Sequence, residues 1–236
     1  MSDLERVDYA HGTKALTGWL ARPAGEPRGA VVVYPTIVNA NAHMERRARM
    51  LADQGFLALI ADFYGELPAD FASAGALAEE LRSDCDHFRA RLSAAVATLR
   101  DLAPGLGLSA IGFCMGGQAV LELARAGEDL LLVASFHGVF GTARKASAAT
   151  AHKPRVLLLH GDADPLAPRA EAIALWDELD AAGYDWHHHA YAGVRHGFTD
   201  PESDRRGLAA VAYDASANRQ AWASLTALLD EIYRAG

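Results

Sequence analysis

Five short apolar runs constrain the fold of this chain more than any other feature: "GAVVVYP" (29–35), "GFLALIADF" (55–63), "GLSAIGF" (107–113), "DLLLVASFHG" (129–138) and "RVLLLHG" (155–161). Near-continuous hydrophobicity of this kind belongs to strands covered on both faces, as in a parallel sheet with helices on either side. The stretches between them carry helical spacing. In 76–100, Leu77, Leu81, Cys85, Phe88, Leu92, Val96 and Leu99 recur at steps of three and four, which predicts one helix with Cys85 on its buried stripe. Further helices are expected over 42–54, 115–126, 168–182 and 217–234. The resulting β-α-β-α order predicts an α/β fold, a doubly wound and mostly parallel sheet flanked by helices. "KALTGWLA" (14–21) alternates and is expected as an antiparallel edge, "DWHHHAY" (185–191) as a late strand, and 201–217 as a surface loop.

With 236 residues, 51% of them apolar, the chain has enough hydrophobic surface for one large domain over 1–236. No apolar run reaches the roughly 18 residues a membrane span needs. The opening Met-Ser-Asp-Leu-Glu-Arg is charged where a secretory signal turns apolar, so a cytoplasmic protein without membrane attachment is expected. A formal charge of -8 argues against a surface that neutralises nucleic-acid phosphates. Two cysteines, Cys85 and Cys114, stay thiols in a reducing compartment.

Reactive residues fall at three strand-to-loop transitions, where open α/β sheets bind ligands. "GFCMGG" (112–117) fits the G-x-nucleophile-x-G elbow with cysteine as the nucleophile. Glycines suit the strained turn and the tightly packed helix beneath it. Cys114 would stand at a helix N-terminus, where thiolate is favoured, with the Met115 N–H as an oxyanion donor. "HGDADPLAP" (160–168) offers Asp162 and Asp164 as acids, and "GVRHGF" (193–198) offers His196 as base. The order nucleophile, acid, base is that of α/β hydrolases.

Taken together, "GFCMGG", "HGDADPLAP" and "RHGF" resemble the dienelactone hydrolase (carboxymethylenebutenolidase-like) family of α/β hydrolases over nearly the whole chain. The resemblance implies an α/β-hydrolase fold without a large lid domain. It assigns Cys114 as nucleophile, Asp164 as orienting acid and His196 as base, with Asp162 bracing the loop. The second oxyanion donor is then the Ile37 N–H, on the loop after the first central strand. Thr36 stands where such enzymes carry a glutamate against the resting cysteine, and Asp200 where they carry a carboxylate-holding arginine. Those departures predict a neutral ester, lactone or thioester as substrate. Tyr64 and Phe198 are further candidates for substrate contact.

Neither a cofactor nor a metal is expected: in a strand His187 and His189 face one way and His188 the other, so at most two converge. His137 and His160 precede glycines at strand ends and are left outside the expected site. A monomer or a homodimer is expected. Two rival readings are a catalytically silent binding protein on this fold and a redox-sensing thiol at Cys114.

Overall fold

The computed structural model describes residues 4–234, so the first three residues of the charged start lie outside it. The chain forms two compact units, up to Ile111 and from Gly112 onward.

The first unit opens on a hairpin. Strand β1 (Glu5–His11) pairs antiparallel with β2 (Lys14–Ala21), from Glu5 opposite Leu20 to His11 opposite Lys14. Gly12 takes the left-handed φ of 59° that the tight turn requires. Next come β3 (Gly29–Tyr34), helix α1 (Ala42–Asp53) and β4 (Phe56–Ile60). Every residue of β3 and β4 is buried, as their unbroken apolar runs predict, and the two pair in parallel. The segment 14–21 is not an edge: β2 also pairs antiparallel with β4, leaving β1 outermost. Its outer partner escapes a hydrophobicity reading because β1 buries no residue fully.

The continuous helix expected over 76–100 is instead two: α2 (Phe71–Arg82) and α3 (Cys85–Leu102). Asp84 caps α3, accepting from the Asp86 and His87 N–H groups, and so restarts the helix in the middle of an uninterrupted periodicity. Cys85 is therefore the first residue of a helix and half-buried, not part of a buried stripe. An Asp70–Ser73 capping box opens α2.

Strand β5 (Leu108–Phe113), wholly buried, runs across the boundary between the units. The second unit continues with α4 (Met115–Ala126), β6 (Leu132–Phe136), β7 (Arg155–Gly161), α5 (Arg169–Ala182), β8 (Trp186–Tyr191) and α6 (Ala215–Arg234). Strands β6, β7 and β8 are parallel neighbours, with α4 and α6 packed on β6. Gly127 and Gly183 close α4 and α5 in the left-handed conformation. Part of the expected 201–217 loop is ordered as a 3₁₀ helix, Pro201–Arg206. Between α4 and α5 lies a buried ion cluster: Arg125 pairs with Glu178 at 2.8 Å and Glu122 at 2.9 Å and donates to the Phe140 carbonyl.

The strand order is β1-β2-β4-β3 in the first unit and β6-β7-β8 in the second, parallel apart from the β1-β2-β4 pairings, as in a mostly parallel α/β sheet. No helix among the described residues is long and apolar enough to cross a membrane.

Candidate active site

Cys114 sits between β5 and α4 with φ 57° and ψ -114°, a backbone conformation that non-glycine residues avoid and that costs about 1–3 kcal/mol. Its surroundings impose it. The Cys114 carbonyl accepts from the Gly117 and Gln118 N–H groups at 2.9 and 3.2 Å, opening α4. Glycine is required on both sides: a Cβ on Gly112 would lie 1.9 Å from the Gly116 carbonyl oxygen, and one on Gly117 would lie 2.6 Å from Gly138 Cα. Cys114 is half-buried and heads a helix whose N-terminal dipole favours an anion. Met115, first residue of that helix, presents its N–H at the same end.

Asp164 and His196 come together on neighbouring loops. His196 Nδ1 donates to Asp164 Oδ2 at 2.7 Å, and Asp164 Oδ1 accepts from the Leu166 N–H at 2.8 Å. The loops are clasped by the Ala163 N–H donating to the Val194 carbonyl and the Asp162 N–H to the Tyr191 carbonyl. Gly161 allows this, since a Cβ there would meet the Val194 oxygen at 2.5 Å. His196 is further held by a bridge to Val211, giving its N–H to Ala210 and accepting from Ala212. Asp162 points elsewhere, forming an exposed two-pronged ion pair with Arg169 at 2.6 and 3.0 Å.

The remaining ring nitrogen, His196 Nε2, is buried and makes no hydrogen bond of normal geometry. It still answers to Cys114. Burial alone would pull the imidazole down, but the Cys114 charge, the Asp164 hydrogen bond and the sulfur's own approach outweigh it and push His196 up to about 10. The balance favours the protonated imidazole beside Cys114.

The other expected positions divide. Phe198 is wholly buried, edge-on to the rings of His137 and Tyr191, and so packs the loop. Asp200 does not present a lone charge: it caps the 3₁₀ helix and pairs with Arg206. In the first unit, Tyr64 donates its hydroxyl to the Ile37 carbonyl at 3.1 Å, and Thr36 accepts at its carbonyl from Asn39, with its Oγ1 buried and unpartnered. This turn is anchored by Asp62, whose Oδ1 accepts from Asn39 Nδ2 and the Tyr64 and Gly65 N–H groups, and Oδ2 from the Thr17 N–H. Of the histidine run, His188 accepts from Trp176 at 2.9 Å and is held by burial at about 4, hence neutral. No group of three or more His, Cys, Asp or Glu that could hold a metal occurs among the described residues.

Sequence reasoning missed His137. Its Nδ1 lies 3.2 Å from the Cys114 backbone nitrogen and its Nε2 2.8 Å from Thr199 Oγ1. Only its place before a glycine at a strand end hinted at it; a contact spanning 23 residues has no local signature.

Comparison with known proteins identifies the family. A model of the dienelactone hydrolase family matches residues 16–233. The chain belongs to the dienelactone hydrolase family. Among solved structures, a dienelactone hydrolase-like promiscuous phosphotriesterase from metagenomic libraries is 34% identical, covers 97% of this chain and 98% of its own, and superposes with a TM-score of 0.90. The protein m3DLH is 32% identical, covers 98% of this chain and 98% of its own, and superposes with a TM-score of 0.89. An uncharacterized protein of Caenorhabditis elegans is 32% identical over 127 residues, 53% of this chain and 80% of that one. The fold is that of α/β hydrolases with no large extra domain, and this dienelactone hydrolase family member is a hydrolase by kinship.

Proposed function

We propose that the protein hydrolyses neutral carboxylic esters or lactones through a thioester on Cys114. The observation that carries the reading is the His196–Asp164 hydrogen bond at 2.7 Å, with the opposite nitrogen of the same ring coupled to a cysteine on a strained elbow.

In the resting pair the Cys114 proton resides on His196. The thiolate attacks the carbonyl carbon, and the oxyanion meets the Met115 N–H, with the Ile37 N–H as second donor by family resemblance. Each such donor is typically worth about 3 kcal/mol of barrier. On collapse the C–O bond breaks and His196 gives its Nε2 proton to the leaving alkoxide. Water then attacks the thioester, returning a proton to His196 and expelling the thiolate, so ester plus water becomes acid plus alcohol. Asp164 fixes the tautomer and offsets the imidazolium charge throughout. A thiolate is itself a good leaving group, which favours activated esters and strained lactones over amides.

Thr36 supplies no charge, and Arg206 takes up that of Asp200, so the preference for neutral substrates rests on the missing arginine at 200 and not on repulsion. Kinship with a phosphotriesterase adds a second substrate class, the phosphotriesters: the same thiolate attacks phosphorus as the P–O bond to the leaving alkoxide breaks, and water then cleaves the S–P bond to release the phosphodiester.

The test is stopped-flow hydrolysis of p-nitrophenyl acetate. The parent is expected to release a burst of nitrophenol that Cys114→Ala and His196→Ala both lose. A folded parent without a burst would overturn the reading in favour of a binding or redox role. A p-nitrophenyl phosphotriester run alongside decides the second class.

A further inference from the structure

His137 is a buried titratable residue that the mechanism above leaves idle, yet it touches both ends of it. It follows β6 directly with φ 40°, and its neighbour Gly138 is pressed against Gly117 of α4 so closely that neither glycine could carry a Cβ. That approach sets the imidazole directly on the elbow. The Cys114 N–H is shared between the Phe136 carbonyl at 3.1 Å and His137 Nδ1 at 3.2 Å. The same ring stands edge-on to His196, centroids 5.1 Å apart at 68°, and edge-on to Phe198.

The donor at Cys114 dictates the chemistry of the ring. A backbone N–H only donates, so Nδ1 must keep its lone pair. The ring proton then sits on Nε2 and goes to Thr199 Oγ1 at 2.8 Å, a hydroxyl with no solvent exposure. A doubly protonated His137 would lose its acceptor and place a second cation against the His196 imidazolium. The Cys114 N–H thus selects one tautomer, and the Thr199 hydroxyl, which can accept from Nε2–H, anchors the ring in it.

We infer that His137, held as the neutral Nε2–H tautomer by the Cys114 N–H and anchored by Thr199, is a positioning residue that fixes Cys114 and His196 relative to one another. The inference deepens the thiol hydrolase reading and rests on it for its kinetic consequence. The strained Cys114 backbone survives only while its N–H and carbonyl are both held. Removing the imidazole leaves the Cys114 N–H to the Phe136 carbonyl alone and takes away the ring packed edge-on against His196, and a displacement of about 1 Å at a reacting pair costs roughly 100-fold in rate.

The experiment combines kinetics and NMR on the full-length protein. His137→Phe keeps a ring but has no acceptor; His137→Asn restores an acceptor at the δ position. The burst rate constant is expected to fall roughly 100-fold in the first, with KM nearly unchanged, and to recover most of the loss in the second. Thr199→Val should slow the burst and Thr199→Ser restore it. Long-range ¹H–¹⁵N correlation on the parent should show His137 unprotonated at Nδ1 and protonated at Nε2. A parent carrying the proton on Nδ1 overturns the inference, as does a folded His137→Phe with the parent burst rate. Should His137→Phe not fold, a Thr199→Val variant with the parent rate and tautomer overturns it equally. A parent with the expected tautomer but no burst sinks the hydrolase reading and leaves the tautomer lock standing.

Discussion

His196 Nδ1 lies 2.7 Å from Asp164 Oδ2, with the two side chains 4% and 0% exposed. Replacing the carboxylate by an amide keeps the shape but lets the ring take the wrong tautomer. Asp164→Asn is expected to lower kcat by roughly 10³–10⁴-fold. Asp162→Asn breaks only the exposed pair with Arg169 and should leave kcat and melting temperature near those of the parent. Equal losses in the two variants would refute the assignment.

The raised His196 value carries a pH signature. A folded pKa of about 10 against 6.5 unfolded means the imidazolium contributes stability that is full below pH 6.5 and is lost as pH rises through 10. In Cys114→Ala the sulfur's charge is gone and burial acts against Asp164 alone, so the ¹⁵N titration of His196 should move well down. Calorimetric scans should show the parent losing melting temperature between pH 7 and 10 more steeply than the variant. A His196 titration unchanged by Cys114→Ala would remove the ion pair from the scheme.

Gly112→Ala puts a methyl group 1.9 Å from the Gly116 carbonyl oxygen, a collision with backbone across the elbow. We expect a loss of about 3 kcal/mol or more and no acyl burst. Urea unfolding provides the number. Gly141→Ala, with nothing within 4 Å of its Cβ, is the matched control and should be close to neutral.

Arg125 is 2% exposed in its side chain and neutralises Glu122 and Glu178, which are 3% exposed. Arg125→Met keeps the length and strands two carboxylates in the interior. The expected destabilisation is about 3–5 kcal/mol, read by urea unfolding, with a partial return in the triple variant that also makes both glutamates glutamine.

The parts legible in the sequence are those set by local chemistry. The runs of β3, β4, β5, β6 and β7 are apolar because both faces are covered, and the elbow is marked by glycines whose missing side chains make room for backbone. The parts that escaped are set by partners distant in the chain. Strand β1 alternates polar residues on an open edge and carries no hydrophobic signal. Ser83 and Asp84 interrupt a helix without disturbing its periodicity, which moved Cys85 from a stripe to a terminus. Asp162 and Asp164 look alike in "GDAD"; what separates them is that one meets Arg169 at the surface and the other His196 in the interior. His137 is made significant by Cys114 and Thr199, 23 and 62 residues away.

The hub at Asp62 has an evolutionary consequence. Of the donors that saturate its carboxylate, the Thr17, Tyr64 and Gly65 groups are backbone amides and only the Asn39 amide is a side chain. Backbone donors survive almost any exchange of residue, whereas Gly65 is itself pinned, its missing Cβ lying 2.2 Å from the Ala15 oxygen at φ 73°. Drift among homologues should therefore be lopsided around this carboxylate: Asp62, Asn39 and Gly65 inherited as a block, with the side chains at 17 and 64 free, as far as this network is concerned, to diverge as substrates change.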